Sequence, residues 1–165
     1  MDVFKYFKLL PQGDWRQNKK QGDVEEIFAK EIGRKALAIQ GSISANNFVQ
    51  LPHPTSLLKA LNLTGRYIYI ELKSPNAGPF SLHFDFGMAE RAHGVRISLS
   101  NLFKGGFSQA NGFVIQAPLD LANDKWTVVC VDIVDLLEKS RLFPASYNLE
   151  GGAHSLKSMT LCANI

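Results

Sequence analysis

The stretch "FSLHFDFG", residues 80–87, alternates large apolar side chains with Ser81, His83 and Asp85 without a break. A period of two puts Phe80, Leu82, Phe84 and Phe86 on one face of a strand and the polar residues on the other. Such a greasy face has to be covered, so the chain must supply a second layer. Other runs have the same grammar: residues 35–41 "KALAIQG", 47–52 "NFVQLP", 66–73 "RYIYIELK" and 94–100 "GVRISLS". Residues 112–118 "GFVIQAP", 126–134 "WTVVCVDIV" and 156–163 "LKSMTLCA" complete the series, with Gly, Pro and Asn between them. This spacing predicts an all-β fold, an antiparallel β-sandwich with one or two short helices.

Within "RYIYIELK", Tyr67, Tyr69 and Glu71 share one face and Ile68, Ile70 and Leu72 the other. Within "KWTVVCVDIVDLLEKS", residues 125–140, the strand half is apolar on both faces apart from Thr127 and Asp132, which predicts cover on both sides. The second half predicts a short helix capped by Asp135, whose carboxylate would accept from amides of the first turn. A second helix is predicted in "HPTSLLKALNLTG", residues 53–65, with Thr55 or Ser56 as the cap and Leu57, Leu58 and Leu61 as the apolar stripe. Residues 18–35, "NKKQGDVEEIFAKEIGRK", fit either an irregular or a partly helical segment.

A chain of 165 residues, 45% hydrophobic and 20% charged, can bury one core without staples, so residues 1–165 are read as a single domain. No apolar run approaches the roughly 20 residues of a membrane helix, and the opening "MDVFKYFKLLPQGDW" has no secretory pattern. An intracellular chain with no membrane partner is expected, and Cys130 and Cys162 are then expected as buried thiols rather than a disulfide.

The search for chemistry is sparse. His53, His83, His93 and His154 are scattered, with no zinc spacing; His83 and Asp85 share a strand face, more simply a wet sheet face than a metal site. There is no G-x-S-x-G and no phosphate loop, because the glycines of "FKGGFSQANG" are not followed by Lys-Ser or Lys-Thr; a flexible surface loop is expected there. Asp85 and Asp132 are the acids that a glycosidase would need facing each other, but Asp132 and Asp135 read better as a strand-end acid and a helix cap. Tyr67, Tyr69, His83 and Asp85 on one wet sheet face would instead suit a carbohydrate-binding module. No enzyme activity and no cofactor is expected.

What remains is surface. The net charge of +3 favours an acidic partner without specifying one. The basic residues Arg16, Lys19, Lys20, Arg34, Lys35 and Lys104, interleaved with acids rather than forming a stripe, are the candidates for such contacts; nucleic acid is not expected.

Five phrases add a resemblance. "WRQNKKQGDV" (15–24), "IQGSISANNFVQLP" (39–52), "LNLTGRYIYIELK" (61–73), "VRISLSNLFK" (95–104) and "LKSMTLCANI" (156–165) together resemble the cilia- and flagella-associated protein 20 family, in the expected order. The resemblance implies a sandwich of jelly-roll type and a non-enzymatic, microtubule-associated role in the cytoskeleton of centrioles, basal bodies, cilia and flagella. It implies tubulin and other centriolar or inner-junction proteins as partners, where the A and B tubules meet in axonemes. The family pattern runs past "LCAN" into a further strand-like segment, which implies an N-terminal piece of a longer protein bearing WD-repeat β-propellers, with an open sheet edge.

Overall fold

The computed structural model describes residues 18–41, 43, 46–57, 59–105, 108–110 and 113–163. In chain order the strands begin with β1 (Lys19–Gln21), β2 (Asp23–Ala29), β3 (Arg34–Gln40), β4 (Phe48–Leu51), β5 (Tyr67–Leu72) and β6 (Phe80–Met88). They continue with β7 (Val95–Ser100), β8 (Ser108–Ala110), β9 (Val114–Pro118) and β10 (Thr127–Asp132), then helix α1 (Ile133–Lys139) and β11 (His154–Ala163). A seven-stranded sheet has the order β1-β4-β11-β6-β7-β9-β8, and two further pairs, β5 with β10 and β2 with β3, form separate small sheets.

The fold is the expected all-β sandwich. Pairing is antiparallel except for β7 and β9, which run parallel. That exception arises because "FKGGFSQANG", expected as a plain loop, contributes β8, which pairs with β9. The "LCA" strand is interior, since β11 is flanked by β4 and β6.

The alternation in β6 does what its period requires: Phe80, Leu82, Phe84, Phe86 and Met88 are all buried. With Ile97 and Ile115 from β7 and β9 they meet Ile39 of β3, Ile68, Ile70 and Leu72 of β5, and Val129 and Val131 of β10. This interlayer core holds the two layers together through removal of apolar surface from water.

Three expectations about local structure are corrected. β10 is not covered on both sides, because Val128 and Cys130 on its outer face are exposed. None of the described residues of the segment 53–65 is helical. The backbone there turns outward to bond the large sheet: the Leu61 N–H donates to the Lys157 carbonyl at 2.9 Å, and Leu63 accepts from Leu156 at 2.7 Å. Asn62 at φ 53 also departs from helical geometry, and Leu58 lies outside the described residues. Residues 18–35 are mainly extended, as β1 and β2. Gly22 at φ 76 turns one into the other against the buried Asn47, whose Oδ1 accepts from the Asp23 N–H at 3.2 Å; a Cβ at Gly22 would come within 2.1 Å of that oxygen.

The helix cap is Asp132 rather than Asp135. The last residue of β10 keeps extended backbone (φ −85, ψ 101), which leaves its carboxylate free to accept from the Asp135 N–H at 3.1 Å. Asp135 lies in the first turn and pairs with Lys139 at 2.7 Å. Asp132→Ala is expected to destabilise the domain by about 1 kcal/mol, within the usual range for a lost N-cap. Asp135→Ala should cause a smaller loss, because exposed i,i+4 pairs contribute only a few tenths of a kcal/mol. Urea unfolding of both variants checks this; equal losses would reassign the cap.

Candidate interaction face

The outer face of the β5–β10 pair is built by the same alternation that makes the core. Ile68, Ile70 and Leu72 point inward with Val129 and Val131, so Tyr67, Tyr69 and Glu71 point outward with Val128, Cys130 and Asp132. The register sets Tyr67 opposite Asp132, Tyr69 opposite Cys130 and Glu71 opposite Val128. Nothing among the described residues covers this face: Tyr67 is 49% exposed, Tyr69 68% and Val128 65%. The two tyrosine rings lie side by side, centroids 6.4 Å apart and tilted by 42°.

Each end of the aromatic strip carries a guanidinium. Arg66 stands 5.4 Å from the Tyr67 ring and donates to both carboxylate oxygens of Asp132, with a further bond to Glu150 at 3.3 Å. At the far end, Arg34 of β3 pairs with Glu71. In the Arg66–Asp132 and Arg34–Glu71 pairs the acid is the more sheltered partner, 28% against 42% and 23% against 55% exposed, whereas Glu150 beside Arg66 is 74% exposed. The hydrogen bond from Arg66, followed by that from the Asp135 amide, holds the Asp132 carboxyl below its usual range. The hydrogen bond with Cys130, then its charge, pushes the Tyr69 phenol up.

The opposite exterior of the sandwich is self-satisfied. On the faces of β6 and β7 turned away from the interlayer core the cross-strand pairs are Ser81 with Ser100, His83 with Ser98 and Asp85 with Arg96, of which Ser98 and Ser100 are buried. Their hydrogen bonds measure 3.0 Å between the serine hydroxyls, 2.9 Å at His83 Nδ1, and 2.6 and 3.0 Å between Arg96 and Asp85. Ser158 of β11 donates to Asp85 at 2.8 Å. Burial, then the Arg96 charge, lowers the His83 pKa against the pull of Asp85.

Two expectations lose their sites here. Tyr67 and Tyr69 belong to one layer and His83 and Asp85 to the other, so the four do not form a carbohydrate platform. Asp85 and Asp132 sit in different sheets, each held by an arginine, and do not face each other as a glycosidase pair. Among the described residues no group of three or more His, Cys, Asp or Glu is placed to hold a metal, and no helix is long and apolar enough to cross a membrane. Cys130 is exposed and Cys162 half-buried, both unbridged, so the expectation of buried thiols fails at Cys130, where β10 turns its outer face to solvent.

The basic candidates fall on separate elements. Arg16 lies outside the described residues. Lys19 and Lys20 sit on β1 at an edge of the large sheet, Lys19 over the Phe48 ring at 5.2 Å. Lys104 is exposed in the segment after β7. Arg34 and Lys35 start β3; Lys35 pairs with Glu26 at 2.6 Å across the hairpin and remains 68% exposed. Arg34 is tied to the tyrosine strip through Glu71. Arg66 was missed as a contact candidate, although its place just before "YIY" was the available signal.

The family model described as the CFA20 domain matches residues 1–165. The chain is 32% identical over 190 residues to WD repeat-containing protein 90 of Xenopus tropicalis, covering 100% of this chain and 9% of that protein. Against WD repeat-containing protein 90 of Homo sapiens it is 31% identical over 179 residues, with coverage of 100% and 9%. Centriole proteome protein 16 of Chlamydomonas reinhardtii is 33% identical over 132 residues, which is 79% of this chain and 6% of that protein. The chain thus spans less than a tenth of the length of these relatives.

Proposed function

Because the chain belongs to the CFA20 domain family, we propose that it is a non-enzymatic structural module of centrioles, basal bodies and axonemes. It grips the microtubule wall at the inner junction between A and B tubules, with tubulin and neighbouring junction proteins as partners. The observation that carries this reading is the full-length family match, joined to a relative whose name places it in the centriole proteome. The described surface agrees with binding rather than turnover: Asp85 and Asp132 are each tied to an arginine, and the Ser98 hydroxyl beside His83 is buried rather than open to a substrate. In a longer protein with WD-repeat propellers, many weak domain contacts along a repeating lattice would add into firm attachment.

Co-sedimentation of the purified chain with polymerised tubulin over a salt series tests the reading. Binding should weaken severalfold as ionic strength rises from 0.05 to 0.2 M, roughly the range in which screening shortens below 10 Å. Lys19→Glu/Lys20→Glu and Lys104→Glu report whether those basic candidates share in the contact. No pelleting with tubulin at any salt concentration would remove tubulin as the direct partner.

A further inference from the structure

We propose that the free edge of β10 pairs antiparallel with β10 of a second copy of this chain, joining two domains into a dimer. The proposal goes beyond the microtubule reading and does not depend on it. In its small sheet β10 has one neighbour, β5. The Ile133 N–H donates to the Arg66 carbonyl at 2.9 Å, which continues that ladder and fixes its phase: Val129 and Val131 exchange bonds with β5. Val128 and Cys130 therefore turn their backbone N–H and C=O groups away from β5, and no described residue bonds to them there. An unpaired row of this kind is a template for another strand. The core is open along the same rim, since the inward-pointing Thr127 and Val129 stay half-buried while Val131 is buried.

The other described edges carry the usual guards, shortness or charge. β1 and β8 have three residues each, and β1 bears Lys19 and Lys20. β2 bears Asp23, Glu25 and Glu26, β3 opens with Arg34 and Lys35, and β5 is joined to β3 by the Arg34–Glu71 pair. β10 has six residues, with no proline, no bulge and no charge before Asp132. Its residues also select the occupant, because β10 is its own complement. A two-fold axis at Val129 sets Val129 against its counterpart, Val128 against Cys130 of the second copy, and Thr127 against the copy's Val131. The free N–H and C=O groups of Val128 and Cys130 then bond to one another in the phase this edge requires. Outside, the exposed Val128 and Cys130 cover each other; inside, the copy's Val129 and Val131 close the open rim. Charge agrees with this register. Asp132 stands opposite Trp126 of the copy rather than opposite a second Asp132. Lys125, exposed and without an ion pair among the described residues, arrives beside the copy's Asp132. The paired stretch ends on both sides where α1 begins.

The test is sedimentation equilibrium of the whole chain from about 5 to about 500 μM, under reducing conditions that keep Cys130 a thiol. One strand pairing is smaller than a standard interface, so a weak dimer with Kd on the order of 10–100 μM is expected. Val128→Lys sets two ammonium groups beside the axis and should weaken the dimer by about tenfold or more. Leu102→Lys makes the same charge change at an exposed site after β7 and should stay within about twofold of wild type. Cys130→Pro removes an outward N–H without touching the β5 ladder and should match Val128→Lys; if far-ultraviolet dichroism shows it unfolded, Val128→Lys carries the test. The amides of Val128 and Cys130 should also exchange about tenfold more slowly in the dimer than in dilute monomer. A wild type that stays monomeric overturns the proposal and leaves this edge to a strand of another protein. A dimer that Val128→Lys does not weaken, or growth beyond two copies, overturns it as well.

Discussion

Phe84→Ala is expected to remove about 3–5 kcal/mol of folding stability, the usual loss for emptying a buried phenylalanine site. Phe84 is the middle of β6, itself an interior strand, with Ile97 opposite it on β7 and Met159 on β11. Its side chain has no exposure to solvent, and it belongs to the core that includes Ile68 and Ile70 of the facing layer. The neighbours on both sides are fixed by the sheet ladder, so little collapse into the vacated space is open to them. A loss of this size is a large fraction of the total stability of an ordinary domain, and the variant could fail to fold. Phe84→Leu keeps most of the volume and should lose under about 1.5 kcal/mol. Urea unfolding with an unchanged slope checks both. A Phe84→Ala loss below about 1 kcal/mol would mean that β6 does not bear on the interlayer core as described.

The same residues show why the fold was legible and where legibility stopped. In β6 and β7 the alternation is strict and one face is polar, so period, strand identity and core face all agree. β2 was harder because Val24, Ile27 and Phe28 stand three and four apart, a spacing that also suits a helix. Its antiparallel pairing with β3, the other arm of the same hairpin, decided against the helix. Residues 53–65 have a helical stripe, yet Leu61 and Leu63 bond β11 through their backbones, and those tertiary bonds outweigh local propensity. The misplaced cap has a narrower cause. Asp132 and Asp135 are three residues apart, which is also the spacing between a cap side chain and the amide it accepts from, so the sequence alone suits either assignment.

The candidate face was legible in its parts but not in its grouping. Tyr67 and Tyr69 could be assigned outward by period, and so could His83 and Asp85. Which sheet each strand joins depends on long-range pairing, and that placed β5 with β10 and left β6 on the far side. Arg34 is remote from Glu71 in the chain, and only the approach of β3 to β5 brings them together.

Asp85→Ala is expected to destabilise the domain by about 1–3 kcal/mol near neutral pH, because it strips the charged partner from Arg96 and an acceptor from Ser158. The pH dependence makes the assignment specific. Burial works against the Asp85 carboxylate, but the hydrogen bonds from Arg96 and Ser158 outweigh it and hold the pKa below its ordinary 3.8. A carboxyl that binds its proton less readily folded than unfolded contributes fully above the ordinary value and loses that contribution as pH falls through the folded one. The gap between wild type and Asp85→Ala should therefore be widest above about pH 5 and narrow below about pH 4. His83 acts in a higher window. Its folded pKa is lowered from 6.5, chiefly by burial and then by Arg96, so the stability tied to its neutral form is complete above that value and declines as pH falls beneath it. Asp85 is the one neighbour raising the His83 pKa, so Asp85→Ala should move the imidazole titration further down, read by proton chemical shifts of His83. An unchanged or upward-moving titration would break the electrostatic link between these cross-strand neighbours and, with it, the account of this face as a closed structural network.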